Sequence, residues 1–127
     1  MAGIRVVRAA NFGTPAATTP GMDRREAFAE NGVWAGTLRT SAGVLTGWHT
    51  HPGPDTYLYV VSGSLVLEFG PGGRDRVEAK PGDFVLIPAG VVHREGTTAG
   101  SSGVEAVLVR VGEGEIVTNV DVRGVDE

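Results

Sequence analysis

Tyr57-Leu58-Tyr59-Val60-Val61-Ser62-Gly63-Ser64-Leu65-Val66-Leu67-Glu68-Phe69 reads as strand, turn and strand. Side chains of a strand leave alternate faces, so Leu58 and Val60 point one way and Tyr57 and Tyr59 the other. Ser62-Gly63 supplies a two-residue hairpin turn between strands over 57–61 and 64–69. Working outward, the same grammar repeats. Gly70-Pro71-Gly72-Gly73 turns into a strand over 76–79, and Lys80-Pro81-Gly82-Asp83 into one over 84–87. Pro88-Ala89-Gly90 leads into 91–95, and a polar loop over 97–103 precedes strands over 104–111 and 115–117. Upstream, Ser41-Ala42-Gly43 joins a strand over 33–40 to one over 44–51, which Pro52-Gly53-Pro54 ends. A short strand over 4–7 opens the chain, and residues 11–21 read as a loop or extended arm. Only residues 22–30 carry a 3.6-residue apolar period, and Gly32 follows at once.

Nine or ten short strands at close spacing argue an all-β antiparallel sandwich or barrel. The composition agrees, with 20 glycines, 7 prolines and 19 valines in 127 residues. A chain this long makes one domain and buries enough surface to fold without staples. It has no cysteine, which removes disulfides, iron–sulfur clusters, cysteine-ligated zinc and a cysteine nucleophile together. Net charge is −4 and Lys80 is the single lysine, so no basic stripe argues for nucleic acid. The first residues carry charge without an apolar run behind it, and no stretch reaches the ~20 apolar residues of a membrane helix. The expectation is a cytoplasmic protein without a membrane partner. Its parts are an N-terminal strand and arm over 1–32, packing on the barrel or a dimer partner, a barrel over 33–120, and a loose acidic tail over 121–127.

Three histidines carry the chemistry. His49 and His51 are two apart on a strand and share a face, and His93 lies on a distant strand. Facing inward, the three imidazoles would meet inside a barrel and suit zinc, iron, nickel or copper. Val91 and Glu95 share the face of His93, so Glu95 is a candidate second carboxylate in the pocket and the candidate catalytic acid or base. Leu58 and Val60 are candidate pocket walls. Arg39, on a neighbouring strand, is a candidate for holding a substrate carboxylate. Tyr57 and Tyr59 read as sheet-packing or interface residues, Trp48 as packing, and Phe84 and Leu86 as core. No nucleophile elbow, phosphate loop or zinc-protease helix is present, which leaves a metal as the evident source of reactivity.

The spacing of these residues resembles the cupin superfamily. Gly43, five residues, His49-Thr50-His51 and then Gly63 is similar to its first motif, G-x5-H-x-H-x3-4-E-x6-G. Gly82, five residues, Pro88-Ala89-Gly90, two residues and His93 is similar to its second, G-x5-P-x-G-x2-H. The resemblance spans residues 43–97 and implies a double-stranded β-helix, or jelly-roll, barrel with a divalent metal on His49, His51 and His93. The chain departs from the pattern where the family's glutamate ligand falls on Thr56, with Asp55 just before it, and where Thr97 stands for an asparagine. Thr56 is a poor ligand, so the expected site has three histidines, with Thr56 behind them or on a metal-bound water. Asp55 would need an irregular backbone after Pro54 to turn inward. Without that carboxylate the ion keeps its full 2+ charge. The resemblance implies a dioxygenase-like metalloenzyme on Fe(II), acting on a small organic acid or carbonyl compound. Zinc, nickel or manganese would instead imply a redox-silent isomerase, lyase or cyclase. A module that only binds or senses a small ligand is the third implication. Small cupins pair, so the resemblance also implies a homodimer.

Overall fold

The computed structural model describes residues 3–14, 21–114 and 117–120. Among the described residues, ten strands form two five-stranded antiparallel sheets. The first contains β1 (Asp23–Glu30), β2 (Val33–Thr40), β4 (Asp55–Gly63), β7 (Phe84–Ile87) and β9 (Val104–Val111), in the order β1-β2-β9-β4-β7. The second contains β3 (His49–Thr50), β5 (Leu65–Phe69), β6 (Asp75–Ala79), β8 (His93–Gly96) and β10 (Thr118–Asn119), in the order β10-β3-β8-β5-β6. Single-turn 3-10 helices cover Ala9–Asn11 and Pro71–Gly73. Among the described residues no helix is long and apolar enough to cross a membrane.

From β2 onward the chain changes sheet at every step except β5 to β6, which is the jelly-roll arrangement. β4 pairs with β7 and β9, and β5 with β6 and β8. The chain therefore crosses between sheets just after Ser62-Gly63, the last residues of β4, which do not form the hairpin that their sequence suggests. Gly63 stands at φ +77, and a Cβ there would run into the Gly103 backbone, so this corner needs glycine twice over. The tight hairpin lies elsewhere. Asn31 (φ 55) and Gly32 (φ 72) join β1 to β2 as a left-handed pair, the geometry that suits the twist of antiparallel strands.

Three further expectations change. Residues 4–7 lie outside any strand; Arg5 instead ion-pairs with Glu30 at 2.8 Å and stands over the Phe28 ring. Residues 22–30, with their helix-like period, form β1, because its backbone finds β2 as a partner. The strand over 44–51 shortens to β3. Its first half pairs backbone with the far end of β8, where the Thr46 amide donates to the Glu95 carbonyl and the Thr97 amide to the Val44 carbonyl, both at 2.9 Å. The strand over 115–117 and the tail over 121–127 fall largely or wholly outside the described residues, and the arm over 11–21 falls partly outside them.

The core sits between the sheets. Leu38, Leu58, Val60, Ala106 and Leu108 are buried, and strict alternation along β2, β4 and β9 puts them there, while β5 adds Leu65 and Leu67 from the second sheet. Leu58 and Val60 point inward, and Tyr57 and Tyr59 outward, as alternation requires. Phe84 and Leu86 correct the sequence reading: they are 79% and 54% exposed. Val85 and Ile87 hold the inner parity of β7, so Phe84 pairs outside with Tyr59, ring centroids 4.9 Å apart. Trp48 is buried as packing, with the Arg94 guanidinium 4.8 Å from its ring.

Candidate metal centre

His49 and His93 are cross-strand partners on β3 and β8. His51 follows two residues on, where the chain leaves β3, and its carbonyl is tied by the Gly90 amide at 3.0 Å. All three rings are buried, with centroids 4.3 Å apart for His49–His93 and 5.2 Å for each of the other two pairs. Strand parity aims them, and cross-strand register brings them together.

The hydrogen bonds set which nitrogen faces inward. His49 Nδ1 lies 2.9 Å from the Gly47 carbonyl oxygen, and His93 Nδ1 lies 2.9 Å from that of Val91. A carbonyl only accepts, so both Nδ1 atoms carry the proton and both Nε2 atoms turn a lone pair to the interior. Holding the outer nitrogen this way is how proteins orient metal-binding histidines.

Those lone pairs converge on Glu95. Its Oε1 lies 3.3 Å from His49 Nε2 and 3.6 Å from His93 Nε2, and the carboxylate is buried. Neither Nε2 makes a hydrogen bond that satisfies it. In the neutral tautomer, lone pair faces lone pair, an arrangement that needs a proton or a cation between. Burial acts to raise the pKa of Glu95, but a proton shared with the two imidazoles, through hydrogen bonding and charge, outweighs it and holds the carboxyl well below the ordinary range, and a cation between them would act in the same sense. One donor atom from each of His49, His51, His93 and Glu95 lies within 4.8 Å of the others. Ligands ~2.1 Å from one ion lie at most about 4.2 Å apart, so closing on a metal asks for movements of a few tenths of an ångström. The donor set fits a divalent cation, and these four residues could hold one.

The carboxylate in the cluster is thus Glu95, from the second motif, where the sequence left a site of three neutral ligands. Asp55 is turned away, and its Oδ1 accepts the Ala89 amide at 2.8 Å. Thr56 points inward, buried, and its hydroxyl has no hydrogen-bond partner. Leu58 and Val60 belong to the core below it. Val91 is half-buried and, with Leu67, Phe69, Ile87 and His93, lines an apolar cavity of about 230 Å³. Arg39 is corrected: it lies outside the barrel, 70% exposed along its side chain, and pairs with Glu105 at 3.0 Å.

Sequence reasoning passed over Arg24, Trp34 and Arg110, all buried on the inner face of the first sheet. The available signal was parity. Arg110 continues the inward row Val104, Ala106, Leu108, an unusual slot for a charge.

No curated protein matches the chain by sequence. Among solved structures, an uncharacterized conserved protein with a double-stranded β-helix domain from Klebsiella pneumoniae superposes with a TM-score of 0.71 at 18% identity, covering 94% of this chain and 99% of that one. The polyketide cyclase RemF from Streptomyces resistomycificus gives 0.75 at 20%, covering 98% and 90%. The DMSP lyase DddQ from Ruegeria pomeroyi gives 0.62 at 22%, covering 73% of this chain and 45% of that one. Such likenesses establish the shared barrel. The cupin domain model matches residues 38–110, more than half of the sequence and both histidine motifs, and the chain belongs to the cupin family.

Proposed function

We propose that the protein is a divalent-metal enzyme of redox-silent type, a lyase, cyclase or isomerase acting on a small organic molecule. The observation that carries this reading is Glu95, a buried carboxylate in contact with two inward imidazole nitrogens. His49, His51, His93 and Glu95 would hold the ion, and a divalent cation there supplies Lewis-acid polarisation of a substrate oxygen. The protein's own part is to keep Glu95 ionised, to fix the imidazole tautomers through Gly47 and Val91, and to exclude water with the Leu58–Leu108 layer. The Thr56 hydroxyl, buried without a partner, is placed to hydrogen-bond a substrate or a bound water. With four protein donors, a six-coordinate ion keeps two positions, which favours a single substrate over an organic ligand plus dioxygen. The cyclase and lyase named among the similar barrels lend the same direction.

Screening small hydroxy- and oxo-acids by absorbance, in air and under argon, tests it. Turnover at equal rates in both atmospheres is the expected result. Dioxygen uptake in step with product would sink the redox-silent reading in favour of an Fe(II) dioxygenase. Saturable binding with no turnover in either atmosphere would leave a sensing module.

We also assign the outer face of the first sheet to pairing of two copies. Tyr57, Tyr59, Phe84, Leu86 and Val107 are exposed side by side there without a charge among them, so a twofold-related copy can cover them and strand no ion. Light scattering is expected to return twice the chain mass for the wild type and the single-chain mass for Phe84→Glu, with unchanged circular dichroism. A wild-type monomer at micromolar concentration overturns the assignment.

A further inference from the structure

Arg110 is 2% exposed, and its Nε and Nη1 donors meet no acceptor. Leaving a buried charge with open donors is costly, and folded chains avoid it unless something else completes the bonding. The surroundings are arranged for such a group. Along one row of the first sheet, Arg110 stands between Trp34 on β2 and Thr56 on β4. Its guanidinium carbon lies 5.4 Å from the Trp34 ring centroid, a cation–π seat. The indole is fixed in turn, because its Nε1 donates to Glu26 Oε1 at 2.7 Å. It also lies over Gly36, where a Cβ would come within 2.8 Å of the ring. Thr56 adds a second buried hydroxyl without a partner.

The electrostatics point the same way. Burial and the nearby Arg24 guanidinium push Arg110 down to about 9, and the charge of Glu95 offsets this only in part. Glu95 leaves the Nε and Nη1 donors open, and its Oε1 faces the imidazoles. A cavity of about 280 Å³ at this end of the sheet is bounded by Trp34, Arg110, Gly112 and Gly114. That is below the range of drug-sized pockets and suits a small ligand. Of the carboxylates at its rim, Glu30 is engaged by Arg5, and Glu113 is exposed to water.

We propose that Arg110, seated on Trp34 and flanked by Thr56, is the anion-holding residue of the substrate pocket, and that the substrate class is small organic carboxylates. The carboxylate takes the open guanidinium donors, and the rest of the molecule lies in the cavity against Trp34. This rests on the reading of the barrel interior as a substrate pocket beside a metal.

Isothermal titration of zinc-loaded protein with sodium benzoate, and with neutral benzamide of the same shape, tests it. Benzoate is expected to saturate the wild type, with benzamide at least tenfold weaker. Arg110→Met is expected to lose benzoate at least tenfold while holding as much zinc as the wild type. Arg110→Lys, which keeps the charge without the planar fork, should fall between and covers the case in which the methionine variant misfolds. Wild-type protein stripped of metal with EDTA should bind benzoate within a few-fold of the zinc-loaded protein. Undiminished benzoate binding in Arg110→Met, or equal binding of benzamide, overturns the proposal. So does a wild type that binds no benzoate. Loss of benzoate on stripping the metal, with Arg110→Met unaffected, places the carboxylate on the metal, which overturns this inference and leaves the metal reading standing. A wild type that takes up no zinc yet binds benzoate through Arg110 does the reverse.

Discussion

Replacing His49 by alanine is expected to reduce bound metal from about one ion per chain to background, as read by elemental analysis after dialysis. His49 is the hub of the cluster. Its ring is 4.3 Å from that of His93, and its Nε2 lies 3.3 Å from Glu95, closer than that of His93 at 3.6 Å. Removing it leaves two imidazoles on separate segments and one carboxylate, with no ligand across the His93 pairing. Stability gives a second readout. A ligand that binds only the folded state stabilises it by RT ln(1 + [L]/Kd), about 2.7 kcal/mol at a hundredfold excess over Kd. Added zinc should therefore raise the wild-type melting temperature, and EDTA lower it, while His49→Ala responds to neither. The variant should still fold, since the layer of Leu38, Leu58, Leu108 and Ala106 lies apart from the histidines. Glu95→Gln keeps the shape and loses the charge, so its zinc affinity should drop at least tenfold, about 1.4 kcal/mol. A wild type that takes up no metal from zinc, iron or manganese, or a His49→Ala that retains it, would refute the centre.

How far this site was legible in the sequence depends on which distances the information spans. Period two is local, so the inward turn of His49 and His51, and of Leu58 and Val60, could be read directly. The same parity put Glu95 on the face of His93. What it could not supply was depth: a carboxylate two residues past His93 ends up in solvent or against the imidazoles depending on what pairs with β8, and those partners are β3 and β5. Pairing was also where the fold reading failed. Adjacent strands joined by Ser62-Gly63 resemble a hairpin, yet the partners of β4 lie in β7 and β9, tens of residues away. Phe84 and Leu86 misled for another reason. Apolar side chains on an exposed sheet face look like core when only residue type is weighed, and the parity of Val85 and Ile87 was the better guide. Arg110 was the reverse case, a charged residue whose parity placed it inside.

That misfit of residue type and place leads to an expected result in the opposite direction from most core substitutions. Arg110→Met should stabilise the ligand-free fold by about 2 kcal/mol, because a buried donor left without an acceptor costs ~1–3 kcal/mol, and more when it is charged. Two terms oppose each other. The substitution removes the desolvation of the guanidinium and its repulsion from Arg24, the two effects that push it down to about 9. It also forfeits the contact with Trp34, ~0.5–2 kcal/mol for a desolvated cation–π pair. The sign of the linkage sets the conditions. A base whose folded pKa is depressed binds its proton less tightly folded than unfolded, so the penalty is complete below pH about 9 and fades only above it. At neutral pH the wild type therefore carries the whole cost, and the comparison is best made there, by urea unfolding with the slopes checked for equality. A gain in stability together with loss of carboxylate binding would identify Arg110 as a residue kept for its ligand at the expense of the fold. A loss of 2 kcal/mol or more would mean that the guanidinium is bonded within the protein, and that its place in the barrel is structural.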